Sequence, residues 1–263
     1  MNFLKFFKRN FKDIPKTIDA EKLAKKYNLK GFAFGNYVNQ EERFFFLYKI
    51  KKQLEILAKI KKNNDLGFGE LIIAVGSEGK GGSLAHFNPS KLLINLNRGR
   101  KSKYKNKYQG ESSLIHEYAH YIDWIAGRSK NKELGISFAS QQPEPTQYKQ
   151  IETIRKPTKE LLFNKDYVAP LIKHPQSKYL LAPWEVWARL FEKTVYELTK
   201  NDERFYHYYQ YVEKANGNYS SFIYPTTEFV EKESTIIDVG LSMRTIKPTL
   251  LKHLDYDWNA NNK

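Results

Sequence analysis

Residues 112–124 read SSLIHEYAHYIDW. If they are helical, His116 and His120 lie one turn apart on one face, so both imidazoles reach a single ion. Glu117 is rotated by about 100° from His116 and faces a water beside that ion instead of the ion itself. The flanking pattern supports a helix. Ile115, Ala119, Ile122 and Ala126 form one apolar face, and Leu114, Tyr118, Tyr121 and Ile125 form a second, which predicts a largely buried element. Ser112 or Ser113 stands where an N-cap belongs. A narrow polar stripe of His116, His120 and Asp123 runs between the apolar faces. Asp123 is spaced to accept the second ring proton of a ligand histidine. Without a metal, this stripe would bury polarity that core histidines rarely satisfy.

Composition narrows the ligand set. The 263 residues include no cysteine, so disulfides, thiolate zinc clusters and a cysteine nucleophile are excluded, and any metal must be held by His, Asp or Glu. Hydrophobic residues at 41% and aromatics at 15% predict a folded chain despite 28% charged residues. Forty-four Lys and Arg against 29 Asp and Glu leave a net charge of +15, a field that attracts nucleic acid, anionic lipid or an acidic protein. No apolar run is long enough to span a bilayer, and the N-terminus lacks the apolar stretch of a signal peptide, so a cytoplasmic location is expected.

Working outward, residues 41–62 carry apolar side chains at helical spacing, and NNDLGFG at 63–69 ends that helix. ELIIAV, SLAHF and LLINLN read as short strands of one small sheet, with NPSK turning the last two into a hairpin. LLINLN is expected to offer an edge to which an extended substrate peptide adds. Residues 128–146 are polar and predict an irregular loop before a helical stretch reaching about residue 164. Residues 183–200 predict a helix with Pro183 in its first turn. ERFYHYYQYVEK is expected to continue as helix. The order of elements predicts an α+β fold, with a small mixed or antiparallel sheet packed on the HEYAH helix and further helices C-terminal.

A hydrolytic zinc needs a third protein ligand and an open position. His86, His174, His207, His253 and the downstream carboxylates are all candidates. Glu185, Arg189 and Glu192 form a stripe on the 183–200 helix, where spacing alone allows Glu185 to be a ligand or merely the i,i+4 partner of Arg189.

Four segments in order, GFAFGNYVNQEER, GELIIAVGSEGKGGSLAHFNPSKLLINLNR, SSLIHEYAHYIDW and PWEVWARLFE, resemble the zincin-like metallopeptidase domain of large polyvalent proteins from phages and conjugative elements, known as large polyvalent protein-associated domain 1. The resemblance runs from about residue 30 to 230. The H-E-x-x-H-x-x-D pattern followed by a Glu-containing A-x-x-F helix is also similar to the catalytic domain of anthrax lethal factor. The resemblance implies a zincin-like fold over residues 29–263, a zinc ion held by His116, His120 and Glu185, and Glu117 as catalytic base. It implies Tyr179 as the tyrosine that assists the transition state. It further implies a phage or mobile-element protein acting on a protein substrate in a bacterial host, in the cytoplasm, at a membrane surface or delivered with a virion.

Two basic segments stand apart from that pattern. Before the HEYAH helix the family has a short glycine-containing turn, whereas this chain has RGRKSKYKNKYQGE, with Arg98, Arg100, Lys101, Lys103, Lys105 and Lys107 and interleaved tyrosines. This loop is expected to recruit an acidic partner or nucleic acid. Residues 1–28 form a basic N-terminal segment. On a helix its Phe3, Leu4, Phe7, Phe11 and Ile14 oppose Lys5, Lys8, Arg9, Lys12 and Lys16, an arrangement suited to an anionic membrane surface. The rival function is a basic nucleic-acid- or partner-binding protein whose zinc is structural. Glu117 argues against it, because a structural site gains nothing from a water-activating carboxylate.

Overall fold

The structure, a computed structural model, describes residues 17–78, 83–98, 110–201 and 221–232. The first helix, α1 (Ala20–Lys26), starts at Asp19, whose carboxylate accepts from Lys22 N at 3.0 Å. Its Leu23 and Ala24, with Tyr27 just beyond, lie in the main core. α1 therefore packs on the same core as the elements that follow it. Strand β1 (Gly31–Phe34) follows, then α2 (Gln40–Lys61). A reciprocal cap opens α2. Asn39 accepts from Glu42 N at 3.0 Å, and Glu42 accepts from Asn39 N at 3.1 Å. Lys62, in the left-handed conformation at φ 57°, closes it.

Strands β2 (Ile72–Val75), β3 (Ala85–Asn88) and β4 (Leu93–Leu96) correspond to the three apolar runs of the sequence. The sheet order is β1-β2-β4-β3. β3 and β4 form the expected antiparallel hairpin, with Ala85 opposite Leu96 and Asn88 opposite Leu93. The turn is held by the Asn88 side chain, which accepts from Ser90 N and Lys91 N. β1 pairs with β2 and β2 with β4 in parallel, so the sheet is mixed. The long α2 is the crossover that parallel pairing of β1 with β2 requires. β4 lies inside the sheet with partners on both sides, and so cannot be the edge that receives a peptide; β3 is an edge instead.

Alternation along the strands separates the two faces. Ile73, Val75, Ile94 and Leu96 point into the main core, whereas Ile72, Ala74 and Leu93 form a small cluster with Ala33 on the other side. Against the main-core face lies α3 (Leu114–Arg128), the HEYAH helix. Tyr118 and Tyr121 anchor it by donating to Leu66 O and Gly67 O, each at 3.0 Å. Ser113 occupies the N-cap position but makes no side-chain cap, because its backbone is already helical (φ −91°, ψ 0°), not extended.

Residues 129–148 contain α4 (Asn131–Leu134) and a 3-10 turn at Ala139–Gln141. That turn lies so close to α3 that a Cβ on Gly127 would meet Ala139 N at 2.8 Å. The helices α5 (Lys149–Phe163), α6 (Lys165–Ile172), α7 (Ser177–Leu180) and α8 (Pro183–Thr199) complete the central part of the chain. As expected, Pro183 sits in the first turn of α8. A 3-10 turn at Ser221–Ile223 and α9 (Thr227–Glu231) follow. α8 is shared between two cores. Trp187, Ala188, Phe191 and Val195 enter the main core, while Val186 and Leu190 enter a second one with Leu161, Tyr167, Leu171, Ile223 and Phe229.

The chain is thus α+β, with a small mixed sheet against α3 and helices C-terminal to it. Among the described residues no helix is long and apolar enough to cross a membrane. The amphipathic segment 1–16, the basic residues beyond Arg98 in the loop before α3, and the helix expected at ERFYHYYQYVEK lie outside the described residues.

Candidate metal centre

α3 and α8 cross so that the first turns of both helices converge. His116 and His120 project from one face of α3 with ring centroids 5.0 Å apart. Glu185 enters from α8, its Oε2 3.6 Å from His116 Nε2 and its Oε1 3.4 Å from His120 Nε2. One ligand atom from each of the three residues falls within 4.8 Å of the other two. The register of the helices is set by Trp187, whose indole is fully buried and donates to Ala119 O at 3.1 Å, between the two histidines. Phe138 stacks on Trp184, in the first turn of α8, at a centroid distance of 6.0 Å.

The three residues fit a metal ion. Glu185 Oε2 is buried and has no hydrogen-bond partner, a cost that coordination would relieve. Two imidazoles and one carboxylate, with no thiolate, are a donor set that suits a divalent metal ion, zinc among them. The charges are mutually dependent. Burial would lower the His116 pKa, but the nearby Glu185 and Glu192 carboxylates outweigh it and raise it to about 10. Burial would raise the Glu185 carboxyl, yet the two histidines hold it well below the usual carboxylate range. Glu117 is 7% exposed, and burial pushes its pKa up against the opposing pull of His120 and His116.

Among the described residues Glu185 is the candidate third ligand that reaches both histidines. Its Arg189 partner is also present at 3.6 Å, so the ion-pair reading of the stripe describes the same carboxylate. His86, on β3, instead bonds Glu78 Oε2 at 2.7 Å. His174 accepts from Gln176 N, away from the cluster. His207 and His253 lie outside the described residues. Tyr179 sits on α7, 52% exposed.

Asp123 does not take the ring proton expected of it. Its carboxylate accepts from Ser140 N at 2.8 Å and Ser140 Oγ at 2.6 Å, clamping the 3-10 turn onto α3. Helical spacing placed Asp123 on the histidine stripe but could not show that Ser140 supplies two donors from outside the helix. Asp123→Asn is accordingly expected to leave zinc affinity within about threefold of wild type, since that is below the 10–100-fold cost of losing an outer partner of a ligand. Ser140→Ala is expected to destabilise the fold by about 1–3 kcal/mol, the cost of leaving a buried acceptor on Asp123 without its partner. Zinc titration and urea unfolding of the two variants check both outcomes.

Arg98 is likewise drawn into the fold. Its guanidinium donates to Glu42 Oε1 from Nε at 2.9 Å and Nη2 at 2.6 Å, and lies 5.5 Å over the Tyr37 ring. It neutralises a carboxylate that is only 4% exposed, so it is not a solvated member of the basic patch. Arg100, Lys101, Lys103, Lys105 and Lys107 lie outside the described residues.

Two further residues join the centre: Glu192, which the sequence placed on the α8 stripe without a role, and Tyr224, which it did not single out. Glu192 Oε2 lies 3.2 Å from His116 Nδ1, and Tyr224 donates to the same oxygen at 2.9 Å. Glu192 shares the α8 stripe with Glu185, two helical turns away, which was a usable signal; no local pattern marks Tyr224. The chain matches no protein-family model, no curated protein and no solved structure. The chemistry of the centre is therefore read from its own residues.

Proposed function

We propose that this chain is a zinc-dependent metallopeptidase of the zincin type, the reading best supported by the convergence of His116 with the buried His120 and Glu185 beside Glu117. His116, His120 and Glu185 would hold the ion. Zinc bound there supplies Lewis acidity, lowering the pKa of water and polarising a scissile carbonyl. Glu117 accepts the proton of the attacking water and delivers it to the leaving amine. Tyr179 is assigned as donor to the developing oxyanion. A substrate peptide lies extended along β3, the edge strand fixed to α3 by Phe87 against Tyr121 at 5.8 Å and Trp124 at 6.3 Å. A mobile-element origin is proposed on the sequence resemblance to polyvalent-protein domains of phages and conjugative elements alone.

The net charge of +15 favours a second reading, a nucleic-acid- or partner-binding protein with structural zinc. One experiment separates them. Metal content is measured on wild type, His116→Ala and Glu185→Gln, and the zinc-loaded wild type is then incubated with a peptide library and read by mass spectrometry. About one zinc per chain in wild type alone, with new peptide termini that chelation abolishes, supports the peptidase. Zinc retained in Glu185→Gln removes the proposed ligand set. Bound zinc without cleavage, together with nucleic-acid binding that weakens steeply with salt, turns the assignment to the second reading.

A further inference from the structure

His116 presents its two ring nitrogens to two carboxylates of the same helix. Nε2 faces Glu185 at 3.6 Å, while Nδ1 is within hydrogen-bond distance of Glu192 at 3.2 Å. Glu192 is itself buried, 6% exposed, and its Oε2 also accepts the Tyr224 hydroxyl at 2.9 Å. Tyr224 is carried by a segment anchored independently. Ile223, Phe229 and Val230 fill the second core, and Thr227 Oγ1 donates to Glu197 Oε1 at 2.9 Å. The same Glu192 oxygen is therefore shared by the His116 ring and the Tyr224 hydroxyl. A carboxylate accepting Nδ1–H selects the tautomer whose lone pair is on Nε2, and holds the ring plane towards the remaining donors.

Resting on the metal-site reading above, we propose that Glu192 is the positioning residue for His116, locked by Tyr224 so that docking of segment 221–232 on α8 sets the affinity of the centre. Glu192 touches neither the ion nor a substrate; it acts through the orientation and basicity of the ring. It also ties the centre to the second core, which His116 does not otherwise contact through any hydrogen bond of the described residues.

The test is zinc affinity, measured by competition with a chelating dye on wild type, Glu192→Ala, Glu192→Gln and Tyr224→Phe. Glu192→Ala is expected to bind zinc about 10–100-fold more weakly. Glu192→Gln keeps an acceptor of the same shape without the charge and should recover part of the loss. Tyr224→Phe should give a smaller loss in the same direction, and it keeps the test open if Glu192→Ala fails to fold. Thermal unfolding with chelator present should place Glu192→Gln alongside metal-free wild type, which separates positioning from general stability. In the zinc-loaded wild type, 15N-histidine spectra should show His116 protonated at Nδ1 and bound through Nε2. Metal on Nδ1, or zinc binding unchanged in both Glu192 variants and Tyr224→Phe, overturns the proposal. A wild type that binds no zinc defeats the metal-site reading itself and this proposal with it; wild-type binding with unaffected variants defeats this proposal alone.

Discussion

On the proposed metallopeptidase reading, zinc-loaded Glu117→Gln protein is expected to keep its metal and to lose peptide hydrolysis by about 10²–10⁴-fold, the range for removing a general acid–base. The substitution preserves shape and removes only the ability to carry a proton. Glu117 lies on α3 between the two histidines but a third of a turn off their face, so it is no member of the ligand cluster. Its carboxylate is buried, so a Gln amide there keeps the packing. The readout is paired: metal content and turnover on the same preparation. Turnover close to wild type would remove Glu117 from the chemistry. Loss of zinc would mean that it serves the ion rather than the water. The variant would also be the reagent for finding the substrate, because a centre that binds without cleaving retains what it recognises.

Trp187→Ala is expected to cost about 3–5 kcal/mol of folding stability, the range for truncating a buried aromatic. Trp187 is among the largest fully buried side chains, it contacts Phe191 at a centroid distance of 5.8 Å, and its indole N–H is satisfied by Ala119 O. The lost volume lies at the crossing of α3 and α8. Collapse there would draw Glu185 away from the histidines, so zinc affinity is expected to fall with stability. In a chain of this length the stability loss corresponds to a lowering of the midpoint by roughly 6–20 °C. Unfolding by urea with chelator present isolates the packing contribution. Trp187→Phe, which keeps most of the ring volume, should lose about 1–3 kcal/mol, chiefly through the cavity and the missing hydrogen bond. A midpoint for Trp187→Ala equal to that of wild type would show that the helix crossing is held elsewhere.

What was legible in the sequence follows the range of each signal. α3 and α8 are stated by local rules: apolar faces at helical spacing, and Pro183 at a first turn. The β3–β4 hairpin is stated by two apolar runs around a turn. β1 was not read as a strand, since Gly31–Phe34 is short and only half-buried throughout. The position of β4 inside the sheet could not be read either, because strand order depends on where the α2 crossover returns the chain. The same limit governs side chains. His116 and His120 are a local pair, whereas Asp123 finds Ser140, Arg98 finds Glu42, and Glu192 finds Tyr224 only after folding. Spacing showed which of these residues share a helix face, not which partner arrives from another element.

The helix that delivers Glu185 is a wall with a hydrophobic room on each side. Its two faces are filled by different parts of the chain, so neither room can empty without shifting the wall. The HEYAH motif is consequently not a portable module. A fragment ending before α8 would carry both histidines and the base but leave α3 with an open apolar flank and no third ligand. A lesion among the C-terminal helices would disturb the candidate centre without touching His116, His120 or Glu185. Gain and loss of the centre should therefore accompany folding of the whole described body in a single cooperative transition, with the metal acting as a reporter of tertiary assembly as much as a reagent.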